Sequence, residues 1–296
     1  MQDIKRRIKS VTSIEHITNA MKLVSAAKLR RAKATFERTQ AIFREVTDSI
    51  AGVMEHITEV PEQYRPGGRE VKRSCLIVVT SNRGLAGSFN SNVLKEAERL
   101  AQGHSEKPLI ACVGSKGRDY FAKRGYEILA SWTGAPESVT FADTGEIAKA
   151  VIEKYDGEEI DEVVLIGTIF KSTLEQHVES KTLLPFDSLE VSDGSSAAGG
   201  DAEGEGKRPT TPDVEYEPSA EEVLSYLVPK YAEIALYGAV IESATCEHAA
   251  RRIAMENATD NAHGMIDSLG LFYNRARQAA ITKEITEIVS GSEAVS

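Results

Sequence analysis

Residues 1–60 contain no proline and a single glycine, Gly52, and their apolar positions recur every three or four residues. Ile4, Ile8, Val11, Ile14, Ile17, Met21 and Val24 open the series; Leu29, Ala32, Phe36, Phe43, Val46, Ile50, Val53 and Ile57 continue it. Steps of three and four keep side chains near one side of a helix, so the pattern predicts one long helix with a narrow apolar seam. Pro61 and the Pro66-Gly67-Gly68 turn end it, because proline removes a backbone donor and clashes with the preceding turn.

The period then changes. Cys75–Thr80, Leu109–Val113, Glu127–Trp132 and Glu162–Phe170 are short runs rich in Val and Ile and read as strands. Asn92–Ala101, Ser115–Lys123 and Asp143–Tyr155 lie between them with helical spacing, and Gln176–Leu184 adds a further strand. Strand alternating with helix predicts a central, Rossmann-like α/β layer domain.

Residues 187–217 set nine acids against Lys207 and Arg208, among Gly, Ser and Ala. Such a stretch buries too little apolar area to offset the entropy of ordering, and it reads as a disordered acidic loop. A solvent-exposed brake or docking tether is the role it suggests. From Glu221 the helical spacing returns at Val223, Leu227, Tyr231, Ile234, Ile241, Ile253, Met265, Leu269, Phe272, Ile281, Ile285 and Ile288, with Pro229 the last proline. Four segments result: a helix over 1–60, an α/β domain over 68–186, the acidic loop over 187–218, and a second long helix over 219–296 that pairs with the first.

Neither terminal helix buries its stripe alone, and isolated helices are marginal in water. Charge supports their pairing. Residues 1–44 carry eleven Lys/Arg against three Asp/Glu, whereas residues 219–296 carry eleven acids against six bases. The fold class expected is α/β, with a long antiparallel coiled coil of N- and C-terminal helices beside the central domain.

Composition narrows the function. At 296 residues, 41% hydrophobic and 27% charged, the chain has material for a sizeable core. Its longest apolar runs, such as Leu76-Ile77-Val78-Val79, fall far short of the roughly 18 residues of a membrane span. The start, MQDIKRRIKS, has no short apolar core of a secretory signal. Cys75, Cys112 and Cys246 are odd in number and form no Cys-x-x-Cys pair, which argues against a disulfide framework or zinc site and for a reducing compartment. None of the six histidines belongs to a spacing that suggests His-Glu-x-x-His or a metal cage. The basic first helix lacks the interleaved aromatics of a base-stacking surface, so nucleic acid is not expected.

Two glycine-rich turns raise nucleotide binding. SNRGLAGSFN (81–90) follows the first strand and VGSKGRD (113–119) the second, where a phosphate loop would sit. Neither has the Gly-x-x-x-x-Gly-Lys-Ser/Thr or Gly-x-Gly-x-x-Gly spacing. Tight strand-to-helix turns explain the glycines more simply.

RRIKSVTSIEHITNAMKLVSAAKLRRAK (6–33) closely resembles the N-terminal signature of ATP synthase γ subunits. ARRIAMENATDNAHGMIDSLGLFYNRARQAAITKEITEIVSG (250–291) resembles their C-terminal signature, and the two glycine-rich stretches resemble their recurrent central motifs. The likeness covers nearly the whole chain outside residues 187–212. Asn82, Ala86, Ser88 and Ile253 depart from the usual residues, and the acidic insertion is atypical.

The resemblance implies a central-stalk subunit of an F-type ATP synthase, with no catalytic residue, cofactor or metal of its own. Its implied partners are the α and β subunits of the catalytic head, the ε subunit and the membrane ring of c subunits. The implied place is the cytoplasmic face of a bacterial cell membrane, peripherally attached. Carried over residue by residue, Arg277, Gln278, Thr282 and Glu284 would engage β loops, with Ile281, Ile285 and Ile288 buried or forming a bearing face. Met21 and Lys22 match a coupling-sensitive position, and Lys28, Arg30 and Arg31 would face acidic β levers. A nucleotide-binding α/β enzyme with helical extensions, or a free-standing coiled-coil scaffold, stays open on the residues alone.

Overall fold

The computed structural model describes residues 1–56, 64, 70–185 and 220–293. The expected acidic loop, 187–218, and the last four residues of the expected first helix lie outside them. Helix α1 spans Gln2–His56 and α5 spans Ala220–Glu293. Between them run β1 (Ser74–Val79), α2 (Phe89–Gly103), β2 (Leu109–Val113), α3 (Ser115–Ala122), β3 (Ile128–Trp132), α4 (Phe141–Asp156), β4 (Glu162–Phe170) and β5 (Gln176–Leu184). The described residues fall into two compact units, and each long helix contributes to both.

One unit draws on Arg30–Gly84 and Ser88–Glu247. Its sheet has the order β3-β2-β1-β4-β5, with β1 to β4 parallel and β5 antiparallel to β4. Alternate residues of each strand face opposite layers. Cys75, Ile77 and Val79 of β1 pack with Ile147, Val151 and Tyr155 of α4 and with Tyr231, Leu236 and Val240 of α5. Leu76 and Val78 pack instead with Val93 and Ala97 of α2 and Phe121 of α3. Strands covered on both faces explain the near-continuous apolar runs read from the sequence. Thr140 caps α4 in a reciprocal bond pair with Asp143, which fixes where that helix begins. Within this unit α1 and α5 run antiparallel: Phe36 and Glu242 both meet Phe170, and seven residues further along α1, Phe43 meets Gly238.

The other unit draws on Met1–Leu29, Leu85–Gly87 and His248–Ser296. In α1 a line of shielded positions runs through Ile4, Ile8, Val11, Glu15, Thr18, Lys22, Ser25 and Leu29, alternating by four and three. In α5 a matching line runs through Met255, Thr259, Ala262, Ile266, Leu269, Tyr273, Ala276 and Ala280, with the same alternation. That period of 3.5 is the coiled-coil repeat. The hydroxyls of Thr18 and Thr259 meet at 2.9 Å between the two helices.

This seam differs from the one expected. Ile14, Ile17, Val24, Met265, Phe272, Ile281, Ile285 and Ile288 are all exposed. The reason is angular. Val11, Ile14 and Ile17 follow one another by threes, and each step of three residues turns about 300°, slipping about 60° around the helix. Two such steps carry Ile17 off the buried face, which passes through Glu15 and Thr18 instead. Helix α5 also begins before Pro229 and runs through it, and its first turns pack Val228 and Tyr231 into the sheet core.

Candidate functional site

A phosphate or dinucleotide would bind at the carboxyl ends of β1 and β2, where the parallel strands feed α2 and α3. At the start of α3 the donors are taken. The N–H groups of Ser115, Lys116 and Gly117, the first three of α3, go to Asn82 Oδ1 (2.8 Å), Ser81 O (3.2 Å) and Thr80 Oγ1 (2.9 Å). Gly114 N–H donates to Trp132 O at 2.8 Å, and Ser81 N–H to Asn90 Oδ1 at 2.9 Å. The Asn82 amide ties this turn to the end of β3 by donating to Gly134 O at 2.6 Å and Thr133 O at 3.1 Å. Val240, Ser243 and Ala244 of α5 cover the opening, and the remaining cavity is about 10 Å³. That holds one water at most.

The glycines serve this close approach. Gly114 sits at φ +94, and a Cβ on it would overlap the Thr80 carbonyl oxygen and come within 2.7 Å of its carbon. A Cβ on Gly117 would lie 3.0 Å from Thr80 Oγ1. Glycine is therefore required by the packing of one strand end on the next. Among the described residues, no group of three or more His, Cys, Asp and Glu side chains is placed to hold a metal.

The residues expected to contact a partner lie on the two long helices. Arg277, Gln278, Thr282 and Glu284 are exposed on α5, and the Thr282 hydroxyl donates to Gln278 O at 3.0 Å, leaving the helix regular. From Ile281 on, every residue of α5 whose side chain is described is exposed, so Ile281, Ile285 and Ile288 are not covered by this chain itself. Lys28, Arg30 and Arg31 of α1 are exposed as well. Met21 and Lys22 are half-buried, Lys22 on the seam itself.

Sequence reading missed one feature of this surface. The outward faces of α1 and α5 in the coiled-coil unit carry Ile14, Ile17, Leu23, Val24, Met265, Leu271 and Phe272, each at least half exposed. The seam between the same helices uses smaller or polar groups such as Glu15, Thr18, Ser25, Thr259 and Ala262. Large apolar side chains thus stand on the outside of the pair as well as on the seam, where an ordinary amphipathic pair keeps them to the seam. The signal was present in the successive steps of three. The buried thiols offer no chemistry: burial pushes Cys75 and Cys112 up to about 12 and raises Cys246 as well, so all three are protonated at neutral pH.

A family model described as ATP synthase matches residues 1–295. The chain is 46% identical to an ATP synthase gamma chain of Alkaliphilus metalliredigens over 297 residues, covering 100% of this chain and 98% of the relative. It is 41% identical to the "ATP synthase gamma chain, sodium ion specific" of Acetobacterium woodii, again covering 100% and 98%. Among solved structures it resembles a chain of the central stalk and c-ring of the Tetrahymena thermophila mitochondrial ATP synthase, at 25% identity and TM-score 0.58, covering 82% of this chain and 99% of that one. A chain of the Euglena gracilis mitochondrial ATP synthase is alike in fold, with TM-score 0.70 at 20% identity over 99% of this chain and 94% of that one.

Proposed function

Because the chain belongs to the ATP synthase gamma family, we propose that it is the central shaft that couples ion flow through the membrane sector to the catalytic sites of the head. The observation that carries this reading is the exposed apolar surface of the coiled-coil unit. Large apolar side chains on the outside of a helix pair mark a surface made to be enclosed by other chains. Here Ile14, Ile17, Val24, Met265 and Phe272 supply such a surface, and Ile281, Ile285 and Ile288 extend it along α5. A sleeve of α and β subunits is the enclosure proposed, with the ε subunit and the c ring engaging the α/β unit.

The chain does no bond chemistry itself in this proposal. Its surface differs around the axis, so turning it presents a different set of contacts to each β subunit. A β subunit shifts between conformations only by the difference in contact free energy between them. Lys28, Arg30 and Arg31 supply charge for that difference on α1, with Met21 and Lys22 beside them in sequence. Arg277, Gln278, Thr282 and Glu284 do so on α5. No described helix is long and apolar enough to cross a membrane, and attachment to the cytoplasmic face through the ring is part of the proposal.

The test is reconstitution with α and β subunits of the same organism. The chain alone is expected to hydrolyse no ATP, and the assembled complex to hydrolyse it in a way that depends on the chain. Alanine at Arg277, Gln278, Thr282 and Glu284 together should lower turnover while the complex stays assembled. Turnover unaffected by all four changes would remove that contact zone, and hydrolysis by the chain alone would overturn the non-catalytic assignment.

A further inference from the structure

In the α/β unit, a cavity of about 380 Å³ lies between α1, the β4–β5 edge of the sheet and α5. Phe36 and Phe43 line it from α1, Ile169 from β4, Glu179 and Lys181 from β5, and Glu242 from α5. We propose that this cavity binds a small amphiphilic organic cation, its ammonium seated on Glu242 and its apolar body held beside Phe36 and Phe43.

Three observations support the assignment. The volume falls in the range of small-molecule sites, roughly 300–1,000 Å³. The walls are mainly apolar and aromatic, with a few polar groups among them, the composition that orients a small ligand. The charge there favours a cation: two carboxylates, Glu242 and Glu179, face one ammonium, Lys181, while α1 contributes only the uncharged Thr39 and Gln40 and β4 no ionisable group.

Glu242 is built in rather than loose. Its Oε1 accepts the Phe170 N–H at 2.9 Å, which fixes the carboxylate and leaves the second oxygen to a ligand. Burial, reinforced by the nearby Glu179 charge, pushes this carboxyl up to about 7 despite that bond. An ammonium placed against it would stabilise the ionised form in a site where water does so poorly. The aromatic rings add attraction for a cation lying near their faces.

The experiment is calorimetric titration of the full chain with 1-naphthylmethylamine, and with 1-naphthylmethanol as the uncharged analogue. At about pH 8 the amine should bind saturably and at least about tenfold more tightly than the alcohol. Near pH 6, where Glu242 is mostly protonated and the amine still charged, the preference should shrink. Glu242→Gln should abolish the preference at both pH values, with folding checked by circular dichroism. Thr39→Trp, which fills the groove from α1 without touching the charge, should weaken both compounds alike. Equal binding of amine and alcohol to the wild type, a preference that survives E242Q, or no saturable heat with either compound would each overturn the proposal.

Discussion

Gly114→Ala places one methyl group where the end of β2 meets the end of β1. Two costs combine. Residue 114 sits at φ +94, a region that costs a non-glycine residue about 1–3 kcal/mol. The new Cβ also collides with the backbone of Thr80, whose carbonyl carbon would be 2.7 Å away. Thr80 cannot retreat freely, since its N–H and hydroxyl both bond to Val113 O, at 2.8 and 3.1 Å. Overpacking of this kind adds about 1–3 kcal/mol. The sum is a loss of about 2–6 kcal/mol, or about 4–24 °C in melting temperature for a unit of this size. Trp132 is the chain's single tryptophan and accepts the Gly114 N–H through its carbonyl, so its fluorescence reports the melt beside the altered residue. Gly103→Ala is the control: nothing lies within 4 Å of where its methyl group would stand at the end of α2, and a change within about 1 kcal/mol is expected. A G114A melt within a degree of wild type would refute the view that this glycine is there for packing.

Other outcomes follow from the buried ionisable groups and the helix ends. The thiols of Cys75 and Cys112, pushed up to about 12, should react with a thiol reagent at about pH 8 at least about a thousandfold more slowly in the native chain than in denaturant; fast labelling of the native chain would contradict their burial. The Glu242 carboxyl titrates near 7 in the fold against 4.5 in a free chain. The fold therefore holds more protons between those values, and stability should fall as pH rises across that window and stay lowest above it. Glu242→Gln should remove the fall and stabilise the chain by about 1–3 kcal/mol near pH 8, as read from urea melts at several pH values; an unchanged slope would show the carboxyl to be solvated. Ile281→Glu together with Ile285→Glu should leave the melting of the isolated chain unchanged, because both residues are exposed, yet weaken assembly with α and β as read by size-exclusion chromatography. Full assembly would count against α5 as an enclosed end.

Strands β1, β2 and β4 were legible because they are covered on both faces; β2, β4 and β5 fall at the expected residues, and β1 and β3 within one residue. The helix seams were legible only in part. Counting apolar residues by threes and fours finds a helix, but not the face it buries, when polar residues such as Glu15, Thr18 and Lys22 occupy the contact line. Burial in a long helix pair follows the 3.5 period, whichever residues fall on it. The proposed contact residues Arg277, Gln278, Thr282 and Glu284 came from resemblance rather than from pattern, and as exposed helix positions they carry no local mark of a role. The cavity at Glu242 had no signal in the chain order, since its walls come from α1, β4, β5 and α5, far apart in sequence.

Rotation is the direct test of the shaft. Because the three native cysteines are buried, a single Lys149→Cys on the exposed side of α4 gives one reactive thiol for a fluorescent or bead probe. The chain would be assembled with α and β subunits, the head fixed to a surface, and ATP added. One-way turning of the probe, dependent on ATP, is the expected result; a probe that stays still while the same complexes hydrolyse ATP would contradict a rotating shaft.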